Sequence, residues 1–423
     1  MTPKVAVIGS GVVGLCAALY LQRAACEVVL IDPGDMRQAA SFGNAGQFAS
    51  TEIIPLAIPG ILRKVPRWLL DSRGPLTIRP SYLIASMPWL LRLLGSSGRA
   101  RVEQIVKART ALCAAGATDY EPLLEMTGSS DLIAQSHCLR VYQSRAEWPE
   151  QSLEWVLRRE SGQKIKQVDR AGVQALEPEI ADRFGFGICF EERHFVRNLA
   201  SLMTRFKDEF QRRGGDLIVG SAVDFTREAG RVAGVELANG RQLSADYCVV
   251  AAGARSHALT RRLGDPVPLE SERGYHVMVP GAQSLLRGTL VDAPSGIAMV
   301  PMEEGLRITG TVEFAGLNAP PDPRQARRLL DAATQFFPKL QAYHGRAGPL
   351  WMGHRPSLPD SLPIIDRATH FKNVFYAFGH NHMGLLWAAT TGRLISELIG
   401  RCDPSIDIAP YRLSRFSGAA AHS

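Results

Sequence analysis

The stretch KVAVIGSGVVG, residues 4–14, decides the fold of this 423-residue chain. Its apolar beginning, Lys4–Ile8, predicts a buried β-strand, and the glycines after it have the spacing G-x-G-x-x-G that joins a strand to a helix. The residues that follow predict a helix over Val13–Ala25 and a second strand over Glu27–Ile31. The chain is therefore expected to open with a compact β-α-β unit.

This unit has the features of a dinucleotide-binding site. Gly9 permits the tight turn, Gly11 lets the backbone approach a pyrophosphate, and Gly14 allows the helix to pack closely on the strand. The helix N-terminus offers free N–H groups and its positive dipole to phosphates. Asp32, at the end of the second strand, is placed to accept hydrogen bonds from ribose hydroxyls, which disfavours NADP. The motif alone does not distinguish NAD from FAD, and it would also suit a tight turn that binds nothing.

The composition is that of an ordinary folded protein. Hydrophobic residues make up 46% and charged residues 21%, which excludes a disordered or fibrous chain. The length suggests about two or three domains. The net charge of +7 comes from 48 basic and 41 acidic residues that are scattered along the chain, so nucleic acid is not expected as a partner. A mildly basic balance suits an anionic cofactor or a carboxylate substrate, and equally an arginine-rich surface.

Cysteine use and the N-terminus bear on the location. The seven cysteines are widely spaced and form no C-x-x-C pair, which favours a reducing compartment. Met1 is followed almost at once by the strand that contains Val5, which leaves no room for a signal peptide. A cytoplasmic protein is expected.

One apolar segment, residues 53–94, bears on membrane contact. It combines Trp68, Trp89 and many leucines with basic residues, but no part of it reaches the roughly 18 to 20 apolar residues of a membrane span. The basic residues include Arg63, Lys64, Arg67 and Arg92. Core packing under a substrate domain is expected, and peripheral association with the inner face of the membrane is the alternative.

The rest of the chain alternates between β-rich and helical stretches. Strands are predicted over Leu217–Val219, Val232–Leu237, Tyr247–Ala252, Tyr275–Val279, Leu306–Val312 and Val374–Phe378. Helices are predicted over Val102–Thr127, Arg324–Phe337 and Leu385–Ile399. The strand that ends at Gly253 suits a second parallel strand whose C-terminal end meets a ligand.

Four further motifs carry a resemblance to a known family. They are SFGNAG at residues 41–46, ERGYH at residues 272–276, GHRPSLPDSLPII at residues 353–365 and GHNHMG at residues 379–384. With the glycine-rich turn, they resemble the D-amino acid oxidase superfamily of FAD-dependent oxidoreductases, and within it most closely the D-amino acid dehydrogenases and glyphosate oxidoreductase. The resemblance extends from Val5 to about Phe416.

The resemblance implies a mixed α/β and α+β protein that holds FAD noncovalently. A discontinuous, Rossmann-like FAD-binding domain would comprise residues 1–50, 190–260 and 350–423. A substrate-binding domain, with a mixed or antiparallel β-sheet covered by helices, would comprise residues 51–189 and 261–349.

The resemblance also implies which residues contact FAD. They are Gly9, Ser10, Gly11, Val12, Val13, Gly14, Asp32, Ser41, Asn44, Ala45, Gly46, Ala222 with its neighbour Val223, Ala252, Gly253, Gly353, Gly379, His380, Asn381, Met383 and Gly384. Asn381 departs from the glycine expected there, and Asp366 stands where a glycine is common. His354 replaces a commonly apolar residue.

Five residues are candidates for contact with the substrate. Arg355 matches the arginine that pairs with the substrate carboxylate, and a guanidinium fork fits a carboxylate with two hydrogen bonds, although a surface ion pair is the alternative. Tyr275 matches a position that reaches substrate in related enzymes, and cross-strand packing is its rival role. His276 should point to the opposite face from Tyr275. Gln47 and His382 occupy positions that face substrate in relatives and are candidates for specificity.

The predicted reaction is FAD-dependent oxidation of a C–N bond in a small amino or imino acid: a D-amino acid, hydroxy-D-proline or an N-substituted glycine. The electron acceptor stays open among a quinone, an electron-transfer protein and oxygen, the last giving a peroxide-forming oxidase. A flavoprotein subunit of a larger dehydrogenase and an NAD-dependent dehydrogenase are alternatives. A metal protein using His380 and His382 is disfavoured, because two histidines at this spacing lack further ligands.

Overall fold

The structure is a computed structural model that describes residues 2–61, 76–292 and 295–419. Of the apolar segment at residues 53–94, Arg63, Lys64, Arg67 and Trp68 lie outside the described residues. Trp89 and Arg92 lie within them.

The described residues form the following elements. The strands are β1 Lys4–Ile8, β2 Glu27–Asp32, β3 Leu76–Ile78, β4 Ile133–Tyr142, β5 Lys166–Asp169, β6 Phe186–Val196, β7 Asp216–Val219, β8 Ala222–Glu228, β9 Arg231–Leu237, β10 Gln242–Ser244, β11 Tyr247–Val250, β12 Glu270–Val279, β13 Thr289–Asp292, β14 Ala298–Met302, β15 Gly305–Phe314, β16 Trp351–Ser357, β17 Ile364–Arg367 and β18 Val374–Phe378. The helices are α1 Val12–Arg23, α2 Leu83–Gly95, α3 Arg99–Met126, α4 Leu153–Glu160, α5 Arg170–Leu176, α6 Leu199–Arg212, α7 Ser256–Arg262, α8 Arg324–Phe336 and α9 Gly384–Ile399.

A six-stranded sheet has the order β17-β18-β11-β1-β2-β7. All neighbouring pairs are parallel except β17 with β18. Its central strand β1 is buried on both faces: Val5 and Val7 face the core under α1 and α9, whereas Ala6 and Ile8 face the core under the β8-β9-β10 sheet. This explains why the strand is a continuous apolar run rather than an alternating one. The predicted β-α-β unit is confirmed to within two residues at each boundary.

A nine-stranded mixed sheet forms the second layer. Its order is β16-β12-β15-β14-β13-β4-β6-β5, and β3 adds to β15. Most pairs are antiparallel, but β13 with β4 and β15 with β3 are parallel. Helix α8 covers one face, where Leu329 and Phe336 pack with Val277 and Ile308. The other face is turned toward the loop that follows β2.

The predicted fold class is confirmed: a Rossmann-like sheet is joined to a mixed sheet covered by helices. The proposed division at residues 50, 190, 260 and 350 stays a prediction. Near two of those points, β6 and β16 both pair within the nine-stranded sheet. Helix α3 packs against α1 and α9, the helices of the six-stranded sheet.

The crossing of α1 and α9 is the tightest helix contact near the N-terminal turn. Gly392 of α9 lies against the backbone of Cys16 in α1, so that an added Cβ would stand 2.7 Å from the Cys16 carbonyl carbon and oxygen. Two helices can approach this closely only where a side chain is missing. The crossing holds the N-terminus of α9 beside the turn at Gly9–Gly14.

Replacing Gly392 with alanine should force these helices apart. We expect the free energy of unfolding to fall by about 1 to 3 kcal/mol, the usual cost of overpacking a core. Thermal unfolding followed by circular dichroism measures the change. The matched control is Gly345→Ala, whose Cβ would meet nothing within 4 Å. Equal melting temperatures for the two variants would contradict the close packing described.

Candidate active site

Two positions of the N-terminal turn have no room for any residue larger than glycine. Gly9 has φ of 108°, and a Cβ there would stand 2.4 Å from the carbonyl oxygen of Ala251. A Cβ on Gly14 would stand 1.8 Å from the carbonyl oxygen of Gly9. The turn thus brings the start of α1 against the ends of β1 and β11, as the motif predicts.

The start of α1 fits an anion. Its N-cap, Gly11, provides no side-chain cap, and no acidic residue lies in the first turn. The N–H of Val12 donates to Ser41 Oγ at 3.0 Å, and the N–H of Ser10 donates to Asp32 Oδ2 at 2.8 Å. Helix N–H groups without an acidic cap are the donors that a pyrophosphate uses. Val13, the next residue of the helix, is half-buried.

Asp32 fits the ribose. Its Oδ1 accepts from Gly34 N–H at 2.9 Å, so each carboxylate oxygen has one protein donor and a lone pair to spare. Beside it in register lies Val219 of β7, which is 68% exposed, and Val223 of β8 is 40% exposed. A carboxylate acceptor next to an exposed aliphatic side chain suits the hydroxyls of a ribose and the flat face of an adenine. Ala222 opens β8.

Two more predicted FAD residues follow β11. Ala252 is half-buried, and Gly253 begins a short 3-10 turn with open space where its side chain would be. They lie at the C-terminal end of a central parallel strand, which is where ligands of such sheets bind.

The loop at residues 41–46 is fastened to the nine-stranded sheet. Arg307 of β15, which is buried, donates to the carbonyl oxygens of Asn44 at 2.5 Å and Phe42 at 3.3 Å. Within the loop, Asn44 Oδ1 accepts from Gly46 N–H at 2.8 Å, and Ala45 packs against the core. Burial lowers the pKa of Arg307 to about 10, which leaves it charged in the physiological range.

His276 anchors the same loop. Its ring stacks on Trp351 with 4.9 Å between centroids, and its Nδ1 is 3.3 Å from the carbonyl oxygen of Gly43. A Cβ on Gly43 would lie 2.0 Å from the Trp351 ring, as would one on Gly353. Burial, reinforced by the charge of Arg307, lowers the pKa of His276 to about 3, so the imidazole is neutral. His276 therefore lies against the loop and holds it.

Arg355 lies on the same face of the sheet as His276. Its Nη1 is 3.1 Å from Glu272 Oε1 and donates to the carbonyl oxygen of Thr311 at 3.2 Å. Glu272 also accepts from Ser357 Oγ at 2.8 Å. A Cβ on Gly274 would lie 2.3 Å from the guanidinium, so the glycine leaves room for it. Only Nη1 has a partner in these contacts, which leaves Nη2 and Nε of the fork for a carboxylate.

A β-bulge shapes this site. The register of β12 and β15 shifts between Arg273 and Tyr275, opposite Thr311. Thr311 has φ of 60°, which is rare for a β-branched residue, and it directs its carbonyl oxygen to Arg355. Strain of this kind is concentrated at functional sites. No sequence pattern predicts it here, because the bulge depends on the pairing of distant strands.

Tyr275 lies on the opposite face of the sheet from Arg355. It is fully buried, its hydroxyl group donates to Glu313 Oε2 at 2.5 Å, and it accepts from Asp322 N–H at 3.2 Å. The structure thus brings His276, not Tyr275, to the face of Arg355, and packs the phenol under α8. His354, also on the far face, has Nδ1 2.7 Å from Ser271 Oγ.

The GHNHMG turn leads from β18 into α9. Asn381 has φ of 52°, donates its N–H to Pro356 and accepts from Leu358 N–H at 2.9 Å through its side chain. An asparagine tolerates this left-handed backbone, which accounts for the departure from glycine. Met383 is the N-cap of α9, and neither a side-chain cap nor an acidic first-turn residue occupies this helix start, at Gly384. Its positive end fits the electron-rich edge of a reduced flavin. Gly379 begins the turn.

The two histidines of this turn differ in their exposure. His380 Nε2 is 2.9 Å from Thr391 Oγ1, and His380 is buried. The His382 side chain is exposed, although many protein atoms lie around it. Burial, reinforced by the charge of Arg109, lowers its pKa to about 4. The imidazole of His382 is therefore a neutral hydrogen-bonding group above about pH 5.

Gln47 and an acidic residue that sequence reasoning missed, Glu52, line a second cleft. Gln47 pairs with Phe195 of β6, and its buried side-chain nitrogen has no hydrogen-bond partner in the part of the chain that the structure describes. Glu52 is ion-paired with Arg140 at 2.5 Å. A carboxylate in a loop gives no local sign of such a partner, which comes from a strand about ninety residues away.

Asp366 makes its side-chain hydrogen bond to the C-terminal segment and not to the GHNHMG turn. Its Oδ2 accepts from Leu413 N–H at 2.8 Å, which ties the C-terminal segment to β17. Among residues 2–61, 76–292 and 295–419, no group of three or more His, Cys, Asp or Glu is arranged to hold a metal ion. Within the same ranges, no helix has the length and apolar character that a transmembrane span requires.

Comparison with known proteins agrees with this geometry. A family model described as FAD dependent oxidoreductase matches residues 4–398. A D-amino-acid oxidase of Bradyrhizobium diazoefficiens is 37% identical over 97% of this chain and 98% of its own. A D-amino acid dehydrogenase of Xanthobacter autotrophicus is 30% identical over 99% of this chain and 100% of its own. The crystal structure of glycine oxidase from Geobacillus kaustophilus shares the fold, with a TM-score of 0.75 at 20% identity over 98% of this chain and 99% of that chain.

Replacing Arg307 with leucine should loosen the 41–46 loop and weaken FAD retention. Two carbonyl oxygens lose a charged donor, and we expect the FAD dissociation constant to rise at least about tenfold. The ratio of flavin to protein absorbance after gel filtration at low concentration measures the loss. Arg324→Leu, an exposed arginine of α8, is the control. Full flavin content in the Arg307 variant would show that the loop does not depend on this anchor.

Proposed function

The chain belongs to the family of FAD-dependent oxidoreductases that its residues 4–398 match, and from this we propose that it oxidises the C–N bond of a small D-amino acid. The observation that carries the proposal is Arg355, whose guanidinium stands beside Glu272 with part of its fork uncommitted. It faces the same side of the sheet as the loop at residues 41–46. The D-amino-acid oxidase and dehydrogenase among the relatives support this choice of substrate.

The cofactor is FAD, held noncovalently, as the sequence predicted. When bound, it accepts the two electrons that leave the substrate as a hydride. The α1 N-terminus and Asp32 would hold its pyrophosphate and ribose, and the N-terminus of α9 would stabilise negative charge on the ring. The loop at residues 41–46, fixed by Arg307, would enclose it.

In the proposed mechanism, the substrate carboxylate binds Arg355 with two hydrogen bonds. The Thr311 carbonyl and Glu272 keep the guanidinium in one orientation, so the substrate arrives with its reacting carbon in a fixed position. His382, neutral in the working range, offers a hydrogen-bonding nitrogen rather than a charge. Loss of a hydride from the carbon and of a proton from the nitrogen to solvent leaves an imine, which water hydrolyses to an oxo acid and ammonia.

Arg355→Leu should impair substrate capture much more than FAD retention. We expect the second-order rate of flavin reduction by D-alanine, measured anaerobically as bleaching of the visible flavin band, to fall roughly 100-fold or more. Arg355→Lys keeps the charge without the planar fork, so its rate should lie between those of the parent protein and Arg355→Leu. The control is the flavin spectrum of each variant, which should match that of the parent. An unchanged rate would remove Arg355 from the proposed role, and a parent protein bleached by no amino or imino acid would overturn the function.

For the electron acceptor, we propose a membrane quinone rather than oxygen or a soluble electron-transfer protein. Helix α2 supports this choice, because Trp89 is buried and donates to the Ser357 carbonyl at 3.2 Å while the opposite face is apolar and exposed. Leu83, Ile84, Met87 and Leu91 form that face, and Ile84 is 88% exposed. An exposed apolar stripe on a helix suits the headgroup boundary of a bilayer.

A cavity of about 360 Å³ adjoins the beginning of α2. It is lined in part by Tyr82, His257 and Glu270, and Tyr82 immediately precedes the helix. We propose that a quinone enters here from the membrane. None of the seven cysteines, all of which lie in the described part of the chain, is in a disulfide, and this supports a cytoplasmic protein at the inner face.

Ile84→Glu with Leu91→Glu should abolish membrane association. We expect the parent protein to float with vesicles of phosphatidylethanolamine and phosphatidylglycerol, and the double variant to stay in the dense fraction, because each glutamate would have to enter an apolar layer. Gln104→Glu with Gln211→Glu makes the same change of charge on α3 and α6 and is the control. Turnover with a water-soluble dye should be equal in all three. A parent protein that does not float would refute the membrane proposal.

A further inference from the structure

Glu52 presents a carboxylate to the cleft beside Gln47. The cleft is lined by Glu52, Gln47, Ser136, His194 and Thr289, with Phe48, Ala49, Thr51, Cys138 and Phe195. About 30% of the Glu52 side chain is exposed, whereas its partners lie behind it: Arg140 is 12% exposed and Arg158 is 1% exposed. Neither arginine lines the cleft. A ligand entering it would therefore meet the carboxylate before the guanidinium groups.

The arginines also fix the charge of Glu52. Burial alone would raise the pKa of its carboxyl group, but the charges of Arg140 and Arg158 outweigh burial and hold that pKa well below its usual range. The carboxylate is therefore ionised at neutral pH. Glu154, which pairs with the same two arginines, completes a network of two anions and two cations.

Two hydroxyl groups give the cleft further acceptors. Ser136 Oγ and Thr289 Oγ1 both donate to the carbonyl oxygen of His137, at 3.0 and 3.1 Å. Their own lone pairs are left to accept. The open space in the cleft, about 10 Å³, is enough for one group of the size of a water molecule. An ammonium group has that size and carries three donors, which the carboxylate and the two hydroxyls can accept.

His382 is within electrostatic range of both Arg355 and Glu52 of the cleft. The charges of Arg109 and Arg355 lower the pKa of its imidazole, and those of Glu272 and Glu52 raise it. Arg109 links the backbone at the cleft to the segment that follows β16. Its guanidinium donates to the carbonyl oxygens of Glu52 at 2.6 Å and Ser361 at 2.9 Å. A substrate held by its carboxylate at Arg355 would extend its side chain past His382 toward Glu52.

We infer that Glu52 is a specificity-determining residue that selects D-amino acids with a terminal ammonium group, such as D-lysine and D-ornithine. This inference rests on the proposed function and narrows its substrate class. Neutral side chains of the same length gain no ion pair in the cleft, and a D-glutamate side chain would meet a like charge.

The test compares rates of anaerobic flavin reduction at low substrate concentration. With the parent holoenzyme we expect D-lysine to react at least about tenfold faster than D-norleucine, which has the same carbon chain without the ammonium, and D-glutamate to be slowest. Nε-acetyl-D-lysine, which lacks the charge, should resemble D-norleucine. This comparison needs no variant, so it decides the inference even where a substitution disturbs folding.

Glu52→Gln should bring the D-lysine to D-norleucine ratio down to within about threefold of unity, because the ion pair is removed. Glu154→Gln is the matched control: it takes a carboxylate from the same arginines but lies outside the cleft, and it should preserve the ratio. A parent ratio near one, or a ratio that survives in the Glu52 variant, would overturn the inference while leaving the proposed function intact. Reduction by no D-amino acid at all would instead overturn the proposed function, and this inference with it.

Discussion

The binding site depends on one connection, the fastening of residues 41–46 across the nine-stranded sheet. The loop leaves the six-stranded sheet after β2, and Arg307, His276 and Trp351 then hold its backbone from the other layer. Because the guanidinium of Arg307 is buried and bonded to carbonyl oxygens, the loop cannot lift without leaving a charge unsatisfied. The loop thus connects the two layers, and Arg355 on β16 stands at a set position relative to the dinucleotide turn.

Local signals were sufficient to predict the framework. The run at residues 4–14 specifies its strand, turn and helix through apolar continuity and two glycines that contact backbone, so neighbours in sequence decide the outcome. The alternation of β12 predicted that Tyr275 and His276 face opposite sides, and they do. Arg355 is the candidate for binding a carboxylate because of a motif that also contains the structural residues around it. Each of these features depends on residues close together in the chain.

The features that escaped prediction depend on contacts between distant residues. Thr311 adopts a left-handed backbone only because β12 and β15 pair out of register beside it. Glu52 lines a cleft as an ionised carboxylate only because Arg140 of β4 and Arg158 of α4 lie behind it in the folded protein. The alternation of β12 likewise does not predict which side of the sheet Tyr275 lies on. That side is the one covered by α8. Sequence periodicity reports burial, but it does not report which distant partner provides it.

The order of strands in the six-stranded sheet has a consequence for synthesis of the protein. Strand β11, complete by residue 250, has β1 on one side, but its other neighbour, β18, begins only at residue 374. More than a hundred residues must therefore leave the ribosome while one edge of a central apolar strand has no partner. Such an edge can pair with another nascent chain. We therefore expect the discontinuity that builds the cofactor site to make the unfinished chain prone to aggregation, above all when the protein is made at high level.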